Sequence, residues 1–98
     1  MLPTLRDGDL LLVRWRATPR PGRVAVVRLP DDALGRPRPP AVKRLVRRVD
    51  GGWWVERDSA VEGVDSWQVG AIPERDVLGV VLARLWPRPA RALPDPRE

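Results

Sequence analysis

The 98-residue chain has neither cysteine nor histidine. Those two absences exclude disulfides, thiol nucleophiles, the usual zinc ligand sets and every Ser-His or Cys-His catalytic pair. A metal site would have to rest on carboxylates alone, and Asp31-Asp32 is too short a cluster to suggest one, so no cofactor is implied. Long apolar runs are missing as well. The longest, from Val77 to Ala83, falls far short of the roughly 20 residues that span a bilayer. Met1-Leu2-Pro3-Thr4 lacks the basic and apolar regions of a signal peptide, so the chain as written reads as soluble. Its length suits one small domain with a single core.

Lysine is the next scarcity. Of 18 basic residues only Lys43 is a lysine, and the other 17 are arginines. A GC-rich coding bias accounts for the general drift toward arginine. Lysine survives such a drift where the ammonium does something a guanidinium cannot, chiefly where it loses its proton. Lys43 is therefore a candidate general base.

The net charge of +5 and pI near 11.3 raise nucleic acid or anionic lipid as partners. The arginines are spread along the sequence, however, and the densest group (Lys43-Arg44 with Arg47-Arg48) reads as a solvated strand face. Nucleic-acid binding is therefore disfavoured. Five tryptophans without tyrosine or phenylalanine read as core and interface bulk, not as a base-stacking platform.

Twelve prolines and eight glycines break up any helical period. Short β-type runs dominate: 9–15, 23–29, 41–49, 53–57 and 76–85. Asp50-Gly51-Gly52 predicts a hairpin turn between the third and fourth of these. Pro30 to Pro40 is a loop. The predicted fold is all-β, a mostly antiparallel small barrel or sandwich with little helix. It occupies residues 1–86, followed by a proline- and charge-rich disordered tail over 87–98.

Four ordered segments resemble the type I signal peptidase family, serine peptidases with a Ser/Lys dyad. Met1-Leu2-Pro3-Thr4-Leu5 resembles the family's S-M-x-P-T-L segment. Arg20-Pro21-Gly22, with the apolar run after it, is similar to R-x-G-D. Ala41-Val42-Lys43-Arg44-Leu45-Val46 resembles the K-R-V segment and places Lys43 on the catalytic lysine. Asp58, Asp65 and Ser66 match the spacing of G-D-N-x-x-x-S-x-D-S-R. The compact size and the Gly-Gly-Trp-Trp hairpin are similar to small actinobacterial members, among them the nickel superoxide dismutase maturation proteases. The resemblance implies a serine endopeptidase acting as a monomer on extended segments of exported or maturing proteins. Lys43 would be the base, with Met1, Pro3, Thr4, Asp58, Asp65 and Ser66 supporting the site. On a strand, Ala41, Lys43 and Leu45 share one apolar face that could keep water off the amine, with Arg44 on the other.

The sequence departs from the family at several positions. The family's nucleophilic serine directly precedes the motif methionine, which here is Met1, so the expected nucleophile lies outside the sequence. Its only serines are Ser59 and Ser66. Arg23 replaces an aspartate, Gly63 a lysine-assisting serine, Trp67 an arginine and Ser59 an asparagine. Two readings follow. In the favoured one, the complete protein extends upstream through a serine and, as in many family members, a membrane anchor. In the other, the chain is a non-catalytic barrel that binds extended peptides at a sheet edge.

Overall fold

A computed structural model of the chain describes residues 8–58 and 64–91. It is all-β as expected: seven strands in one sheet, every pairing antiparallel. The strands are β1 (Leu10–Trp15), β2 (Val24–Val27), β3 (Ala41–Val49), β4 (Gly52–Glu56), β5 (Ile72–Pro73), β6 (Val77–Trp86) and β7 (Ala90–Arg91). Their order is β1-β6-β2-β3-β4-β5, with β7 on β6. One helical turn, α1 (Ser66–Val69), and a 3-10 turn over Glu74–Asp76 complete the described elements.

The central strand β2 lies between β3 and β6, and Val24, Ala25 and Val27 are all buried. Burial on both faces explains why its sequence is a continuous apolar run without alternation. Across β2 and β3, Val27 faces Ala41 and Ala25 faces Lys43; across β3 and β4, Leu45 faces Val55. Directly opposed residues point to the same face. Lys43 therefore lies on the face that carries the main core of Ala25, Val27, Leu29, Leu45, Trp53, Val55 and Ile72.

The hairpin turn predicted at Asp50-Gly51-Gly52 is made by Asp50-Gly51 alone, Gly52 opening β4 opposite Val49, with Gly51 at φ 69°. Gly52 has a separate reason to be glycine. A Cβ there would overlap the Ile72 carbonyl oxygen and sit 3.2 Å from the Pro73 Cα, both of them backbone that cannot swing away. Gly52→Ala is expected to cost about 2–3 kcal/mol through overpacking. Gly51→Asn, which tolerates the left-handed turn, should stay within about 1 kcal/mol. Urea unfolding of the two variants checks the contrast.

Three expectations are corrected. The Lys43–Arg48 group is not a uniformly solvated face, because Arg44 is only 1% exposed. The tryptophans expected as core and interface bulk divide: Trp53 is buried in the core, whereas Trp15, Trp67 and Trp86 are exposed. Of the tail expected over 87–98, the described part, 87–91, turns back, with Ala90 and Arg91 pairing with Arg84 and Ala83 and the Arg84 Nε donating to the Arg88 carbonyl at 2.6 Å; the rest lies outside the described residues. The loop over 30–40 is organised by Asp32, whose Oδ1 accepts from the N–H groups of Leu34 and Arg36.

Candidate active site

Lys43 is half-buried on β3, flanked on its own face by Ala41 and Leu45 and opposite the fully buried Ala25. This is the apolar setting expected from strand alternation. Among the described residues, no hydrogen bond or ion pair holds its ammonium. Burial is the largest influence on the amine and lowers its pKa below the ordinary lysine value. The negative charge of Asp65 opposes that shift, the positive charge of Arg57 adds to it, and the net direction is downward.

Asp65 is fixed before it meets Lys43. It caps α1, accepting from the Trp67 N–H at 3.0 Å, while its own N–H donates to the Gln68 Oε1 at 2.9 Å. Its other carboxylate oxygen accepts from the Arg57 Nη1 at 3.2 Å and the Arg57 N–H at 3.3 Å. The carboxylate is 3% exposed and heavily committed, so it lends Lys43 a field without a direct bond. Ser66 is also committed: its buried Oγ accepts from the Val55 N–H at 2.8 Å and ties α1 to β4. Trp67 donates from Nε1 to Glu56 and meets the Trp54 ring edge-on at 5.2 Å.

Asp58 does not join Lys43. It receives two hydrogen bonds from Arg44, Nε to Oδ1 at 3.1 Å and Nη2 to Oδ2 at 2.7 Å, on the opposite side of β3. The Arg44 Nη1 also donates to the Gly22 carbonyl at 2.8 Å. This buried fork joins β3 to the end of β4 and to the turn before β2, holding the strand on which Lys43 sits. Met1, Pro3 and Thr4 lie outside the described residues, as do Ser59 and Gly63.

Sequence reasoning missed Arg57, Gly22 as acceptor, and the burial of Arg44. One signal was readable: Asp65-Ser66-Trp67-Gln68 has the spacing of a capping box, which predicts a helix start at Asp65. The structural place of Arg57 depends on tertiary contacts and has no such local signal.

Because the chain lacks histidine, cysteine and tyrosine, Lys43 dominates its alkaline titration up to about pH 10, with the α-amine alone beside it. Its folded pKa lies below the unfolded value, near 10.4. Between those two values the unfolded chain holds the proton that the folded chain has lost, so stability rises with pH across that window. Below the folded pKa the burial penalty is present in full. Lys43→Met is thus expected to be more stable than the parent at pH 7, by no more than about 1 kcal/mol given the half-exposed side chain. It should also lose the alkaline rise. Urea titrations from neutral to alkaline pH measure both effects.

Comparison with family models, curated proteins and solved structures returns no match for this chain.

Proposed function

We propose that this domain supplies the general base of a signal-peptidase-like serine endopeptidase. The observation that carries the reading is the environment of Lys43: the single lysine lies on the apolar face of the sheet, without an ion-pair partner among the described residues, with burial favouring the neutral amine. A lysine in that state can take the proton of a serine hydroxyl. The serine would occupy the position directly before Met1 and attack the scissile carbonyl. The Lys43 Nζ accepts the hydroxyl proton, then returns it to the leaving amine as the carbon–nitrogen bond breaks. Water then hydrolyses the acyl-enzyme, with Lys43 again as base. Backbone N–H groups near the serine would stabilise the oxyanion. The substrates would be extended leader or N-terminal segments of exported or maturing proteins, and the protein would work attached to a membrane.

The test adds one serine before Met1 behind an initiator methionine and exposes the purified protein to a peptide library read by mass spectrometry. Cleavage that requires the added serine supports the proposal. Peptide binding without cleavage, unchanged by Lys43→Ala, would instead make the chain a non-catalytic peptide-binding module.

A further inference from the structure

The fold gathers four of the dispersed arginines around one cavity. Arg14 lies in β1 and Arg16 directly follows it. Arg20 and Arg23 are the ends of a tight turn through Pro21-Gly22, with Gly22 at φ 85° and the Arg23 N–H donating to the Arg20 carbonyl at 3.3 Å. Proline followed by a positive-φ glycine is the signature of a type II turn, whose first and last Cα atoms lie within about 7 Å. The turn therefore sets two guanidinium-bearing residues side by side, facing those of β1. Together the four, all of them exposed, line an open surface groove of about 470 Å³, with the exposed Trp15 and Leu82 in its wall and no carboxylate in the lining among the described residues. That volume is within the roughly 300–1,000 Å³ of small-ligand sites.

This group differs from the arginines that carry a carboxylate partner. Arg36, Arg44, Arg48, Arg57 and Arg84 each meet an aspartate or glutamate within 4 Å. Among the described residues, no side-chain hydrogen bond or ion pair engages Arg14, Arg16, Arg20 or Arg23. Like charges around one concavity repel each other and concentrate a field that attracts anions. Arg16 adds backbone strain, at φ 59° with its N–H held on the Leu78 carbonyl at 3.1 Å. A residue with a Cβ occupies that left-handed region at a cost, and such costs gather at ligand sites.

We propose that this cavity binds a ligand carrying clustered phosphate groups. Planar guanidinium forks suit phosphate oxygens bidentately, and four of them with no counter-ion among the described residues match a ligand of several negative charges. Arg23 stands where the resembling family has aspartate, so the turn presents two positive charges instead of an opposed pair. Lys43 takes no part in the lining. The site is thus independent of the proposed peptidase chemistry.

Isothermal titration with inorganic tripolyphosphate at about 150 mM salt, where surface charge is largely screened, tests it. Arg20→Ala/Arg23→Ala should weaken binding at least about tenfold through the lost charge-assisted contacts. Arg28→Ala/Arg75→Ala removes the same charge from exposed positions outside the cavity and should leave binding unchanged. Arg16→Gly should weaken binding while holding or raising Tm, because glycine relieves the positive φ; lost folding then cannot explain the loss. A parallel arm uses phosphatidylcholine vesicles with and without phosphatidic acid. Tripolyphosphate binding that depends on the cavity arginines assigns a free phosphate ligand. Binding only to phosphatidic-acid vesicles, with the same dependence, assigns a lipid headgroup. Equal loss in both double variants would reduce the effect to net charge and overturn the site, as would no binding in either arm. Preference for an oligonucleotide, undiminished by the cavity variants, would also overturn it.

Discussion

Arg44→Ala is expected to cost about 3–5 kcal/mol, the largest stability loss of any single change considered for this fold. The guanidinium is fully buried, and its Asp58 partner is 10% exposed. Removing it strands a carboxylate in a poorly solvated place, frees the Gly22 carbonyl and leaves a cavity. For a domain of this size the loss corresponds to a fall in Tm of roughly 12 °C or more. Asp58→Ala should be comparably severe, because it removes the carboxylate that accepts two hydrogen bonds from the buried cation. Replacing both partners with apolar residues, Arg44→Met with Asp58→Leu, should cost much less than either alanine variant, since no charge is left unpaired. Equilibrium urea unfolding of the four proteins reads the difference. If the double replacement were as damaging as the single ones, the Arg44–Asp58 interaction itself would carry the stability. The pair lies on the opposite side of β3 from Lys43, so its loss should also disturb the strand that positions the amine.

In the serine-extended protein, Lys43→Arg is expected to reduce kcat by about 10²–10⁴-fold, the range of general-base contributions. Arginine fills similar space and keeps the positive charge, but it cannot become neutral and so cannot accept the serine proton. The fold should survive, because the side-chain end is half in water and engages no partner among the described residues. Lys43→Met should be equally inactive yet more stable at pH 7. A lysine that only held the structure together would show the reverse, lower stability on removal and activity retained by arginine. The pH profile gives a further sign. The neutral amine is the active form, so kcat/KM should rise with pH through the lowered Lys43 pKa, and that limb should be absent from both variants.

Much of the fold was legible because each strand carries its own boundary. Asp50-Gly51 closes the β3–β4 hairpin through conformational preference alone, and β3 runs from Ala41 to Val49 as its pattern predicts. The shared face of Ala41, Lys43 and Leu45 follows from the two-residue period of a strand, and the β2–β3 register places it against the core. The other face of β3 could not be anticipated in the same way. Arg44 looks like one more surface arginine until Asp58, fourteen residues later, and the Gly22 carbonyl, twenty-two residues earlier, converge on it. Short edge strands such as β5 and β7, two residues each, carry too little pattern to announce themselves. Trp67 illustrates a different gap. The place of its exposed ring becomes intelligible only when Trp54 and Glu56 are seen beside it. The cavity arginines show that even distribution along a sequence says little about clustering in space, since one turn at Pro21-Gly22 brings Arg20 and Arg23 to the end of β1.

The measurement closest to the central claim is the titration of Lys43 itself, which a chain with one lysine makes possible at a single site. Reductive methylation with ¹³C-formaldehyde labels only that amine and the α-amine, and Lys43→Arg identifies which resonance is which. The account predicts that the folded protein's lysine signal titrates below the same signal in urea, where the value should be close to about 10.4. Coincident titrations in the two states would mean that the fold does nothing to ease the proton from Lys43, and would contradict its role as the base.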